Sequence, residues 1–88
     1  MKELKVIITD PVGIHARPAG AIVQEVRKLD SAIEVKANGK TMPANNILGL
    51  LSLGVKVGQQ MIFIFKGGNE QKSLEAIEKA LKTNKLIK

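Results

Sequence analysis

The residues best suited to chemistry lie together near the start of the chain, in Gly13-Ile14-His15-Ala16-Arg17-Pro18-Ala19. His15 is the only histidine, and neutral imidazole is a nucleophile. It stands where an apolar segment gives way to a helical pattern, and the first N–H groups of a helix have no partner inside it. Those donors, with the positive end of the helix dipole, form a seat for an anion. Arg17 adds a guanidinium fork suited to phosphate oxygens. Positive potential from both suits an uncharged imidazole with an anion beside it. Pro18 fits the first helical turn because its missing N–H would have been unpaired there. The chemistry this combination fits is acceptance of a phosphoryl group on His15. The plainer alternative is a histidine that caps the helix or sits half-buried at its start. Other histidine chemistries lack partners. One His and no Cys leave no cluster of metal ligands, no disulfide and no thiolate nucleophile. Ser31, Ser52 and Ser73 stand in no nucleophile-elbow context. No metal and no cofactor is expected.

The second informative segment is Asn46-Ile47-Leu48-Gly49-Leu50-Leu51-Ser52-Leu53-Gly54. At 100° per residue, Ile47, Leu51 and Leu48 fall at about 0°, 40° and 100°, while Leu53 and Leu50 fall at about 240° and 300°. A short helix lying on a sheet buries one arc. The other arc is expected as an exposed apolar patch, a surface for a protein partner. The alternative, a fully buried helix, is hard to satisfy in a domain this small.

The elements that must hold these segments follow from periodicity. Residues 4–9 read as a strand, closed by the turn signals Asp10-Pro11 and Gly13. Ala19, Ile22, Val23, Val26 and Leu29 share one helical face. Ile33 and Val35 alternate with Glu34 and Lys36, and Asn38-Gly39 is a strong hairpin signal leading to Lys40-Thr41-Met42. Pro43 suits a sheet edge. Asn46 and Gly54 bracket the short helix as N-cap and C-terminal stop. Gln60 to Lys66 is a further strand, central because Phe63, Ile64 and Phe65 make both faces apolar. Asn69 caps a last helix, with Glu70 at its positive end. Leu74, Ile77 and Leu81 face inward, with Glu75/Lys79 and Glu78/Lys82 as outward pairs. The expected fold is α+β: an open-faced β-sandwich with a four-stranded antiparallel sheet and three helices packed on one face, in the order β-α-β-β-α-β-α.

Eighty-eight residues make this a single domain spanning 1–88. The balance of 44% hydrophobic and 25% charged residues is that of a globular domain. No apolar run approaches the roughly 20 residues of a membrane span, and the amino end lacks a signal-peptide core. A cytoplasmic protein without direct membrane insertion is expected, with a monomer as the default. The net charge of +6 raises nucleic acid as a partner. The lysines, however, are scattered among acids, and only Phe63 and Phe65 are available to stack on bases. No nucleic-acid partner is expected.

Taken with Asn46–Gly54 about thirty residues later, Pro11-Val12-Gly13-Ile14-His15-Ala16-Arg17-Pro18-Ala19 closely resembles the histidine-containing phosphocarrier family, HPr, of the bacterial phosphoenolpyruvate-dependent sugar phosphotransferase system. The similarity runs the whole chain. It implies a carrier rather than an enzyme, with His15 taking phosphate on Nδ1 from enzyme I and handing it to IIA components of sugar permeases. Arg17 would steady the phosphoryl group, and the Ala16 and Arg17 backbone N–H groups would cradle it. Gly20, Gln24, Arg27, Ile47, Leu48 and Leu51 would dock on both partners in turn, with the positive charge steering the encounter. Many relatives carry a regulatory serine at the start of the second helix. Asn46 stands there instead, which implies that this serine phosphorylation is absent.

Two other readings compete. The element order with Phe63-Ile64-Phe65 on a strand suggests an RNA-binding module whose aromatics stack bases. A regulatory paralogue without phosphotransfer is the other, and the retention of His15, Arg17 and Pro18 argues against it.

Overall fold

The computed structural model describes residues 1–88. The period-two and helical stripes become β1 (Lys2–Ile7), α1 (Ala16–Arg27), β2 (Ala32–Ala37), β3 (Lys40–Pro43), α2 (Ile47–Ser52), β4 (Gln60–Lys66) and α3 (Glu70–Thr83). The strands form one sheet in the order β1-β4-β2-β3, every pair antiparallel. This is the open-faced sandwich expected from the pattern. β4 is central, with Met61, Phe63 and Phe65 buried on one face and Ile62 and Ile64 half-buried on the other. β3 is an edge strand, so Pro43, opposite Glu34, breaks no internal ladder. Asn38 and Gly39 turn the β2–β3 hairpin with φ of 51° and 76°, the positive values that a type I′ turn requires.

All three helices cover one face. Ile22 and Val23 from α1, Leu50 from α2 and Ile77 and Leu81 from α3 join Val35, Phe63 and Phe65 in one core cluster of 21 residues. Each such side chain contributes about 1.5–3 kcal/mol on full burial. The inward burial of Phe63 and Phe65, 1% and 0% exposed, removes the stacking platform that the RNA-binding reading needs.

Three details differ from the sequence expectation. β1 begins at Lys2 and ends at Ile7, because its ladder to β4 runs from Lys2↔Phe65 to Ile7↔Gln60. Ile8 and Thr9 leave that ladder, and their N–H groups bond the carbonyls of Gln59 and Leu86. In α3 the fully buried positions include Ser73, whereas Leu74 is only half-buried. Ser73 is tolerated there because its hydroxyl meets that of Ser31 at 2.8 Å, and Ser31 also donates to the Gly67 carbonyl at 2.7 Å. The outward pairs Glu75/Lys79 and Glu78/Lys82 are not among the chain's ion pairs. Glu75 instead accepts from the Gln71 amide at 2.8 Å. Exposed lysine pairs gain little and lose side-chain entropy on forming.

The loop from β1 to α1 is held from below. Gly58 N–H donates to the Ile8 carbonyl at 2.7 Å, Gly13 N–H to the Asp10 carbonyl at 2.9 Å and Ile14 N–H to the Val55 carbonyl at 3.0 Å. These bonds fix the direction from which the chain enters α1.

Candidate functional site

His15 is the N-cap of α1, in an extended conformation with φ −134° and ψ 176°, and its side chain makes no capping hydrogen bond. Its carbonyl accepts the Ala19 N–H at 3.0 Å. Pro18 has no N–H, so two donors of the first turn stay open, those of Ala16 and Arg17. The other two helices close this end. Asn46 accepts from Gly49 N–H at 3.0 Å and Asn69 from Lys72 N–H at 3.0 Å, each through its side chain. An imidazole has no such short oxygen, so the start of α1 presents its amides and dipole to whatever binds beside the ring.

The His15 side chain is 40% exposed, and Arg17 is exposed on the next turn with no carboxylate of the chain engaging it. None of the surface grooves is lined by His15. The ring therefore lies on an open surface, and no groove of the chain itself shields it from water.

The surroundings of His15 are not uniformly positive, contrary to the expectation from the helix end and Arg17. Asp10 places Oδ2 3.6 Å from Nε2, with its side chain only 15% exposed. Its other oxygen accepts the Val12 N–H at 2.8 Å. In the sequence Asp10 reads only as a turn residue. The available signal was a carboxylate at the head of the short loop that delivers the histidine.

The two apolar arcs of α2 separate as the wheel requires. Leu50 and Leu53 are each 2% exposed, while Ile47 and Leu48 are 39% and 77% exposed. Leu51 lies between, half-buried against the core. Gly20 faces this patch: a Cβ placed on it would lie 3.7 Å from Ile47 Cδ1. Gln24 and Arg27 are exposed on the following turns of α1. Arg27 is the last residue of α1, about 18 Å along the helix axis from His15. Its guanidinium donates to the Asn45 carbonyl at 3.1 Å. Arg27 thus borders the far end of the α1–α2 surface rather than the histidine. Val12 and Val57 are also exposed, 69% and 52%, on the two loops that meet at Gly13 and Val55.

Known proteins resemble this chain over nearly its whole length. The protein-family model for the PTS HPr component phosphorylation site matches residues 2–83. The phosphocarrier protein HPr of Mycoplasma pneumoniae is 36% identical over 88 residues, covering 99% of this chain and all of that protein. A solved histidine-containing phosphocarrier protein of Mycoplasma superposes with a TM-score of 0.95 at 30% identity, covering 99% of both chains. An HPr from Thermoanaerobacter tengcongensis superposes with a TM-score of 0.87 at 33% identity, over 96% of this chain and 94% of that one. Fold and sequence together define a phosphocarrier, a protein that is loaded and unloaded rather than an enzyme. The chain belongs to the HPr family of the phosphotransferase system.

Proposed function

We propose that His15 accepts a phosphoryl group from enzyme I, derived from phosphoenolpyruvate, and passes it to IIA components of sugar permeases in the cytoplasm. The observation that carries this reading is the pairing of an exposed imidazole with the two open amides of Ala16 and Arg17 at the start of α1. The transferred group gathers charge on its equatorial oxygens, and fixed donors aimed at that charge favour its transfer. The Ala16 and Arg17 amides are such donors, and the Arg17 guanidinium supplies a mobile one. Gly20, Gln24, Arg27, Ile47, Leu48 and Leu51 form the docking surface for both partners. The protein acts as a monomer. No helix is long and apolar enough to cross a membrane, and the carrier meets permeases through their IIA components.

Asn46 supports the view that serine phosphorylation at this position is absent. It keeps the capping bond to Gly49 N–H but has no hydroxyl to modify.

Phosphorus NMR of the protein with phosphoenolpyruvate and enzyme I tests the proposal. An acid-labile phosphohistidine signal that disappears on adding a IIA domain is expected, and His15→Ala abolishes it with the fold retained. Full transfer by His15→Ala would remove His15 as the acceptor. An acid-stable phosphoserine after treatment with ATP and a serine kinase, for instance on Ser52, would overturn the statement about Asn46.

A further inference from the structure

We infer that Asp10 is a positioning residue for His15: its carboxylate keeps the imidazole proton on Nε2, leaves the Nδ1 lone pair free, and pairs with the charge the ring acquires when Nδ1 is phosphorylated. The inference rests on the reading of His15 as the phosphoryl acceptor.

The geometry is built from the loop upward. Asp10 is held twice, through its carbonyl, which accepts the Gly13 N–H at 2.9 Å, and through Oδ1, which accepts the Val12 N–H at 2.8 Å. With Oδ1 occupied, Oδ2 is the oxygen left to face the ring, and it lies 3.6 Å from Nε2. The carboxylate is largely shielded, 15% exposed against 40% for the imidazole, so solvent screens the pair less than it would at an open surface. An ionised carboxylate only accepts hydrogen bonds. At 3.6 Å the contact is electrostatic rather than a formed hydrogen bond, and a carboxylate facing Nε2 favours the tautomer that places the hydrogen there over the one that places a lone pair there. Nδ1 is then the ring nitrogen that keeps its lone pair.

The balance of the transfer gives Asp10 a second task. The Nδ1 lone pair forms the N–P bond, and the bond from phosphorus to the donor's leaving atom breaks, its electron pair departing with the donor. Nδ1 carries no proton to lose, and Nε2 keeps its own, so the product ring is a phosphoimidazolium. Its positive charge forms beside Oδ2 of Asp10, while the phosphoryl oxygens lie at the other side of the ring. Delivery to the next acceptor reverses the flow, with the N–P electron pair returning to Nδ1. A fixed carboxylate that stabilises a ring cation formed in the reaction, without itself taking the proton, is the role of the aspartate in a Ser-His-Asp triad.

Asp10→Asn separates this role from support of the loop. The Asn oxygen still accepts from Val12 N–H, but its NH2 group then faces Nε2 and donates, which moves the ring proton to Nδ1. Asp10→Ser keeps an acceptor for the turn and offers neither charge nor amide. Two readouts on the full-length protein decide the matter: the His15 tautomer from nitrogen-15 NMR without any partner, and the initial rate of phosphoryl acceptance with phosphoenolpyruvate and enzyme I. The expected results are Nε2–H in the parent, Nδ1–H in Asp10→Asn, a mixture in Asp10→Ser, and rates lower by about tenfold to a hundredfold in Asp10→Asn. A parent ring protonated on Nδ1, or an unchanged tautomer with a rate within about twofold in Asp10→Asn, overturns the inference. Should the parent take no phosphate at all, the phosphocarrier reading of His15 fails, and the tautomer readout still decides whether Asp10 sets the ring.

Discussion

A Cβ added to Gly13 would stand 2.5 Å from the carbonyl oxygen of Val55 and 2.9 Å from Cα of Lys56. The same carbonyl accepts the Ile14 N–H at 3.0 Å, so the loop that delivers His15 is seated directly on the 54–58 loop. Gly13 also holds φ at 79°, where a side chain costs about 1–2 kcal/mol on its own. Gly13→Ala must therefore bear strain and part the two loops as well. A loss of about 2–3 kcal/mol in urea unfolding is expected, together with slower phosphoryl acceptance, since displacement of a reacting group by about 1 Å already costs a large factor in rate. Parent-like unfolding of Gly13→Ala would mean that the two loops are free to separate.

Neighbouring leucines in α2 differ sharply in burial. Leu48 is 77% exposed and Leu50 is 2% exposed, although both lie in the same six-residue helix. Leu50→Ala is expected to cost about 2–5 kcal/mol by opening a cavity. Leu48→Asp is expected to change stability by no more than about 0.5 kcal/mol. If Leu48 docks on enzyme I, the same variant raises the KM for the carrier by about tenfold or more while its unfolding curve stays put. Titration of the carrier into a phosphorylation assay, beside a thermal melt, separates the two effects. An unchanged KM would take Leu48 out of the docking surface.

What could be read from the sequence divides along the range of the interactions involved. Val35 between Glu34 and Lys36, and Ile77 four residues before Leu81, carry their own periodicity, so their elements and buried faces were legible. The Asn38-Gly39 turn and the Asn46 cap are local chemistry and were equally plain. The place of Phe63 and Phe65 in a central strand followed from their both-sided apolar context. The approach of Asp10 to His15 was not legible. It depends on how Gly13 closes back on the Asp10 carbonyl, and on the seat that Val55 gives to Ile14, a contact that spans some forty residues. The hidden Ser31–Ser73 pair escaped for the same reason: each serine alone reads as a surface residue, and only the packing of α3 beside the start of β2 brings them together.

Acid should weaken one tie between the amino end and α3. Glu70, the first residue of α3, receives the Met1 ammonium at 2.9 Å on one oxygen and the Gly67 N–H at 2.7 Å on the other. The hydrogen bond from the chain's amino group, followed by that from Gly67, holds its carboxyl below the usual value of 4.5. A carboxyl depressed in the folded state adds stability above its unfolded value, and that stability is lost as pH falls through the folded one. Glu70→Gln is therefore expected to be less stable than the parent at pH 7, with the gap closing as pH drops from 4.5 towards and through the depressed value. Thermal melts of both proteins across this range check the sign. A gap that is constant with pH would assign the loss to packing rather than charge.

The end of α3 offers a gain rather than a loss. Lys85 holds φ at 60°, with its N–H bonded to the Lys82 carbonyl at 3.0 Å and the Leu86 N–H to the Leu81 carbonyl at 2.9 Å. These two bonds are those of a Schellman motif, whose left-handed position is ordinarily glycine. The motif matters because it turns Leu86 back into the core, where it is 0% exposed and its carbonyl accepts the Thr9 N–H at 2.9 Å. Lys85 is exposed and its side chain forms no ion pair, while the crowding of its Cβ in that conformation costs about 1–2 kcal/mol. Glycine relieves it, less the entropy that glycine loses on folding. Lys85→Gly is expected to stabilise the protein by about 0.5–1 kcal/mol, a rise in Tm of about 2–8 °C for a domain of this size. Leu86→Ala, which removes what the motif serves to bury, is expected to cost about 2–5 kcal/mol. A fall in Tm for Lys85→Gly would show that the lysine stem contributes more at this turn than its backbone strain removes.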